Sequence, residues 1–138
     1  MNAVYRLSLM LRQIHGNIVP IQGDVTKKED LQRIVNLITA ETGYINVFIA
    51  NSGIQGPGLE GLKPNSALSG LYETLWSTDF DAFTNTYAVN TSAVFFSVIA
   101  FLPLLEAGNV KGNVIQKSQV IATSSVASFN RTALVSND

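Results

Sequence analysis

Apolar and polar positions change their spacing several times along the chain, and each change predicts a new element. Apolar residues recur at helical spacing from Val4 to Ile14, and Gly16 is expected to end that helix. The short apolar segment Ile18 to Ile21 then predicts a strand, which Pro20 places at a sheet edge. The chain is expected to leave this strand through the turn Gly23-Asp24-Val25.

A second helical pattern and a buried strand follow this turn. Thr26 and Glu29 match a capping box, and Gly43 is placed to end the helix. The nearly continuous apolar run Ile45 to Ala50 is typical of a strand buried on both faces, and it ends in Asn51-Ser52-Gly53. The apolar face of the helix is formed by Leu31, Ile34, Val35 and Ile38.

A segment rich in Gly, Pro and Ser, Ile54 to Ser77, predicts a long loop with one helical turn near Leu71 to Leu75. Loops of this length in compact domains are usually functional. Within the loop, residues 56–61 match the pattern G-x-G-x-x-G. A dinucleotide fingerprint needs a helix that opens at its glycines, whereas Pro64 follows here, so we interpret the match as loop.

One long apolar helix, Thr78 to Gly108, dominates the second half of the chain. Thr78 is expected to cap it with Asp81 as partner, and Pro103 is expected to kink its last turns. A final strand is predicted from Val120 to Thr123.

The order of these elements predicts an α/β fold with a parallel sheet. Ligands of such sheets bind at the carboxyl ends of the strands. Small polar residues stand at three predicted strand ends, namely Asp24, Asn51-Ser52-Gly53 and Ser124-Ser125. This convergence predicts a binding site.

Composition narrows the class of protein. The chain has 138 residues, 46% of them apolar and 14% charged, which fits one globular domain. A net charge of −1 gives no footprint for nucleic acid, and the apolar run from Val94 to Leu105 is too short to span a membrane. The chain contains no Cys, so no thiolate metal site is expected and we place the protein in the cytoplasm.

Each candidate residue has a structural interpretation beside the functional one. Asp24 can accept a hydrogen bond from a ligand's amino group or stabilise its own turn. Gly53 lets the backbone approach a ligand, although Asn51-Ser52-Gly53 can equally form an ordinary turn. Asn90, inside an apolar helix, is either a satisfied core residue or a site residue. Since His15 is the only histidine and stands beside Gly16, we expect Ser125 to donate to a substrate oxygen rather than act as nucleophile.

Taken in order, these segments resemble the classical short-chain dehydrogenase/reductase family, in particular its fungal members. The matching segments are Gly-Asp24-Val25-Thr26, Ala50-Asn51-Ser52-Gly53, Val89-Asn90, Leu102-Pro103 and Ser124-Ser125-Val126.

The resemblance implies a fold and a chemistry. The fold would be a doubly wound, three-layer α/β/α sheet of the NAD(P)-binding Rossmann type. Asp24 and Val25 would contact the cofactor's adenine, and Asn51, Ser52 and Gly53 would lie beneath its ribose. Asn90 would support a proton relay through water, and Ser125 would orient a substrate carbonyl. The reaction would transfer a hydride between NAD or NADP and a ketone or alcohol.

The chain also departs from the family pattern. It contains neither the family's Gly-rich phosphate segment nor a Tyr with Lys four positions later. We therefore expect residues 1–138 to be a single, incomplete domain truncated at both ends, without the first two strands and the last ones. Ile18 to Ile21 would then lack a neighbour and Val47 to Ala50 would expose an edge, so the isolated chain should fold poorly or aggregate.

Three hypotheses remain. The first is an inactive fragment of an oxidoreductase whose parent acts on a small molecule and is a homo-oligomer through the Thr78 to Gly108 helix. The second is a non-catalytic module that pairs with an intact homologue through that helix. The third is an unrelated flavodoxin-like or nucleotide-binding domain, which Ile21-Gln22-Gly23-Asp24 disfavours because it offers one Gly and no phosphate loop.

Overall fold

A computed structural model describes residues 18–59, 61–63, 65–125 and 129. The predicted helix from Val4 to Ile14, with its end at Gly16, lies outside these described residues. Helix α1 spans Lys28–Glu41 and helix α2 spans Leu68–Trp76. Strand β1 is Val47–Ala50 and strand β2 is Gln119–Ala122.

A continuous helical segment, Phe80–Lys111, is called the long helix below. It consists of α3 (Phe80–Tyr87), a π-helical turn (Ala88–Ser92) and α4 (Ala93–Lys111). It is long and apolar enough to cross a membrane by length and composition alone. Its α4 part packs against α1 and both strands, although only 28% of its most apolar stretch is buried.

The two strands pair in parallel, with Phe48 opposite Val120 and Ala50 opposite Ala122. The predicted parallel α/β arrangement is confirmed for this part of the chain. The backbone N–H of Thr123 also donates to the carbonyl of Ala50 at 3.0 Å, so the ladder continues one residue beyond β2.

The core lies between the sheet and the helices on one of its faces. Phe48 on β1 stacks on Phe101 of α4, with 4.6 Å between the ring centroids. Val35 of α1 and Leu104 of α4 close this cluster. On the opposite face of the sheet Ile49 is 58% exposed, so the described helices cover one face.

Several elements differ from prediction. No strand is assigned at residues 18–21, since a strand needs a ladder partner and the described sheet pairs only β1 with β2. Thr26 does not cap α1, because its hydroxyl donates to Asp24 and Lys27 takes the N-cap position. Asp79 rather than Thr78 caps the long helix, by accepting from the N–H of Ala82 at 2.7 Å.

The long helix also passes Gly108, the predicted end. It runs to Lys111 and ends at Gly112, whose φ of 61° is the left-handed conformation typical of a helix C-cap. The predicted turn near Leu71 to Leu75 is a full helix of 9 residues, α2.

Candidate functional site

The ends of the two strands lie side by side, as predicted. Asn51, Ser52 and Gly53 follow β1 directly, and Ser124 and Ser125 follow the last ladder bond of β2. All five residues are exposed at this edge of the sheet.

A cavity of about 140 Å³ opens beside this edge, between α1, β1 and the long helix. Val25, Asn51 and Ser52 contribute to its wall, whereas Asp24, Gly53, Asn90 and Ser125 do not. Most of the wall is apolar. Ligand sites for whole small molecules usually measure about 300–1,000 Å³, so this cavity holds at most part of a dinucleotide.

The carboxylate of Asp24 stabilises its own turn. Its Oδ1 accepts from the backbone N–H of Thr26 at 2.9 Å and from the Thr26 hydroxyl at 2.6 Å. Its Oδ2 faces Lys27 Nζ at 3.8 Å. Asp24 therefore stabilises its own turn, which is the structural role that the sequence allows. Its Oδ2 is the oxygen that can accept a hydrogen bond from a ligand.

Two residues that the sequence did not single out hold the same turn from helix α1. Asp30 Oδ2 accepts from the backbone N–H of Asp24 at 2.9 Å. Arg33 pairs with Asp30 at 2.9 Å and also donates to the carbonyl of Gln22. A Cβ on Gly23 would lie 2.6 Å from Ile34, so glycine lets the turn approach the helix. The i,i+3 spacing of Asp30 and Arg33 was visible in the sequence, but not their contacts with the turn.

Lowering the pH should loosen this turn. The pKa of Asp24 is lowered mainly by the hydrogen bond from the Thr26 hydroxyl, and the pKa of Asp30 mainly by the bond from the N–H of Asp24. A lowered folded-state pKa gives stability that is complete above the unfolded-state pKa and is lost as the pH falls through the folded-state value. The turn should therefore be fully stabilised at neutral pH, begin to weaken below the ordinary carboxylate pKa of about 4, and open only as the pH falls through the lowered values.

Amide chemical shifts of Asp24 and Thr26, followed by NMR during acidification, check this expectation. The amide of Ile54 is the internal control, because its acceptor is the non-titrating side chain of Asn90. If all three amides moved together, the cause would be general unfolding rather than protonation of this turn.

Asn90 lies in the π-helical turn and anchors the loop that follows β1. Its Oδ1 accepts from the N–H of Ile54 at 2.9 Å, and its Nδ2 donates to the carbonyl of the same residue at 2.9 Å. A Cβ on Gly53 would lie 3.4 Å from Oδ1, so the loop passes close to the amide. Both ends of the side chain are thus engaged with Ile54, while an amide oxygen and an amide NH2 each have the capacity for one further hydrogen bond.

The described residues of the glycine-rich match, 56–59 and 61, form a loop, as expected. No helix opens at these glycines, and α2 begins only at Leu68. A Cβ on Gly56 would overlap the side chain of Thr86 on the long helix. The first glycine therefore serves packing of the loop on the helix, which the sequence pattern alone did not indicate.

No group of three or more His, Cys, Asp or Glu side chains suited to a metal ion occurs among the residues that the structure describes. The polar groups at the strand ends are hydroxyls, amides and backbone groups. They suit hydrogen bonding to the sugar, amide or carbonyl groups of an organic ligand.

Comparison with known proteins places this chain in a family. The family model for short chain dehydrogenases matches residues 3–137. The short-chain dehydrogenase/reductase PhomF' of Diaporthe leptostromiformis is 54% identical over 120 residues, which cover 87% of this chain and 41% of that protein. VdtF of Byssochlamys spectabilis, a protein with the same description, is 33% identical over 138 residues and is covered to 45%.

Solved structures agree on the fold. The NADH-dependent reductase A1-R' complexed with NAD superposes with a TM-score of 0.67 at 23% identity, covering 93% of this chain and 46% of that one. A short-chain dehydrogenase/reductase from Burkholderia phymatum in complex with NAD gives a TM-score of 0.71 at 18% identity, covering 95% and 39%. The chain spans less than half the length of these relatives. Because the family model covers nearly all of it, the chain belongs to the short-chain dehydrogenase family.

Proposed function

We propose that these residues are part of an NAD(P)-dependent oxidoreductase that interconverts a ketone and an alcohol by hydride transfer. The observation that carries this proposal is the meeting of Asn51-Ser52-Gly53 and Ser125 at the carboxyl ends of two adjacent parallel strands. Family membership supports it, as do solved relatives described as complexes with NAD or with NADP.

The residues at this edge suit a nicotinamide cofactor in part. Asp24 Oδ2 can accept from the adenine amino group, and Val25 offers an apolar contact at the cavity wall. Asn51 to Gly53 would lie beneath the ribose of the cofactor, and Gly53, which has no side chain, would let the backbone approach it closely. When bound, the cofactor supplies or accepts the hydride.

The protein's own side chains would orient the substrate. The Ser125 hydroxyl would donate to the substrate carbonyl. Asn90 would fix the loop from Gly53 to Ile54 and support a proton relay through water. We assign these roles to the complete enzyme in the cytoplasm.

Taken alone, residues 1–138 should bind no dinucleotide tightly. The cavity is too small for the whole cofactor, and no glycine-rich loop opens a helix in the described part of the chain. Titrating the chain with NADPH and following nucleotide fluorescence should give no saturation in the low-micromolar range. Saturation in that range would contradict the expectation that residues 1–138 form only part of the cofactor site.

The coding sequence on both flanks tests the parent activity directly. A Gly-rich segment upstream and a Tyr-x-x-x-Lys pair soon after Asp138 would supply the phosphate cradle and the acid/base. Flanks that lack both would refute the oxidoreductase proposal.

A second candidate function rests on the exposed apolar surface of the long helix. Its exposed large residues include Phe95, which is 60% exposed, and Ile99, which is 49% exposed. Contiguous apolar patches of this kind mark interaction sites. We infer that this surface binds a second copy in the complete enzyme or, if the chain is a non-catalytic module, an intact homologue. Co-purification with a full-length reductase and cooperative melting of the complex would favour the module, whereas a compact monomer would exclude it.

A further inference from the structure

The loop after β1 does not leave the site but follows the long helix towards its N-terminus. Ile54 is hydrogen-bonded to Asn90, and Gly56 lies against Thr86, one helical turn earlier. The next residues, Pro57 to Leu59, share a pocket with Phe83 and Phe80. Loop and helix therefore form one continuous surface that starts at the candidate site.

This surface leads to an apolar pocket of about 710 Å³, which we call the aromatic pocket. It is an open depression, since Trp76 and Phe80 in its wall are 78% and 79% exposed, and its volume falls in the range of about 300–1,000 Å³ seen for small-molecule sites. Its lining residues carry no ionisable side chain: Pro57, Gly58, Leu59, Leu75, Trp76, Thr78, Phe80 and Phe83.

The pocket lies within reach of a bound substrate. Phe83 precedes Asn90 by seven residues, and a helix rises about 1.5 Å per residue, so the two positions are about 10 Å apart along the axis. A molecule held near Asn90 and Ser125 by its carbonyl would need an apolar body of about this length to reach the aromatic rings.

We propose that the aromatic pocket binds the apolar end of the substrate, and that the substrate is a ketone or alcohol with a hydrophobic chain or ring system. This inference rests on the proposed function and adds the substrate class to it. The uncharged wall favours an apolar tail over a charged one, because it offers apolar contact and no ion-pair partner.

Trp76 makes the pocket directly observable. It is the only tryptophan of the chain and one of the lining residues. We would titrate residues 1–138, without cofactor, with 2-alkanones from 2-butanone to 2-dodecanone and follow Trp76 emission. The half-saturating concentration should fall about threefold to fourfold for each added methylene until the pocket is filled. The same half-saturation throughout the series would overturn the inference.

Matched variants locate the binding. Phe83→Ala should weaken binding of the longer ketones about fivefold to tenfold, since it removes an aromatic contact from the half-exposed wall of the pocket, and Phe83→Leu should retain most of it. Leu37→Ala is the control, because Leu37 lies on helix α1, is 48% exposed against 49% for Phe83, and does not line the pocket. Equal weakening by Leu37→Ala and Phe83→Ala would refute binding in the pocket. Far-ultraviolet circular dichroism checks that each variant keeps its helices, and Leu59→Ala replaces Phe83→Ala if that variant does not.

Two further outcomes separate this inference from its rivals. Because the titration contains no dinucleotide, failure of hydride-transfer chemistry would leave the chain-length dependence intact. If Trp76 emission instead changed with protein concentration, in step with self-association in sedimentation, the occupant would be a second copy and the substrate assignment would be wrong.

Discussion

Gly108→Ala should lower the free energy of unfolding by about 1–3 kcal/mol, even though alanine favours helices. Gly108 is buried in α4, where a Cβ would overlap the carbonyl oxygen of Ile45 and lie 2.7 Å from Ser118 Oγ. A backbone oxygen cannot rotate away as a side chain can. The helix and the start of each strand would have to separate.

Nearby hydrogen bonds oppose that separation. The N–H of Ile45 donates to the carbonyl of Leu104 at 3.0 Å, and the N–H of Ser118 donates to Asn109 Oδ1 at 2.7 Å. The long helix is thus tied to the segments before both strands on either side of Gly108. The cost of the added methyl group therefore cannot be relieved by a small local shift.

Gly70→Ala is the matched control, since it makes the same change within helix α2. A Cβ there meets only Ser66 Cβ at 3.7 Å, an ordinary contact. The variant should gain about 0.5–1 kcal/mol from the lower flexibility of the unfolded chain. Urea unfolding followed by circular dichroism measures both variants, and destabilisation of both would show that packing at Ile45 is not the cause.

The sequence predicted the elements whose signal is local. Helical spacing and apolar runs located helix α1, both strands and the long helix to within a few residues. Burial of the strand on both faces, predicted from the run Ile45 to Ala50, is wrong: Val47 and Ile49 are 47% and 58% exposed, because the described helices cover one face of the sheet. Residues 18–21 failed as a strand because a strand depends on a partner, which no local pattern shows. The prediction that the helix ends at Gly108 is wrong for a similar reason. Gly108 is needed for close packing against Ile45, a contact between segments more than 60 residues apart that no local pattern shows.

The sequence likewise identified some residues of the candidate site but not the residues that they contact. Asn90 could be found because a polar amide is conspicuous in an apolar helix, and Asp24 because it follows a predicted strand. The residues that Asn90 and Asp24 contact could not be predicted from the sequence. Ile54, Asp30 and Arg33 reach these residues through turns and helix faces whose relative placement is a tertiary property.

Asn90→Ala should release the start of the loop from the long helix. It removes both hydrogen bonds to Ile54, each with a net worth of about 0.5–1.5 kcal/mol. Amide hydrogen exchange at Ile54 should accelerate about tenfold or more, because one 1.4 kcal/mol step is a factor of ten. Asn85→Ala, an exposed change on α3, is the control and should leave exchange at Ile54 unchanged.

Asn90→Asp separates loss of the donor from loss of the whole side chain. A carboxylate keeps an acceptor for the N–H of Ile54 but places a second oxygen against the carbonyl that Nδ2 now serves. At neutral pH exchange at Ile54 should therefore be faster than in the native chain, and it should slow below about pH 4 relative to Asn90→Ala, when the protonated carboxyl can donate. If the Ala and Asp variants matched at every pH, the donated bond would contribute nothing, and Asn90 would act through the π-helical turn that contains it rather than through Ile54.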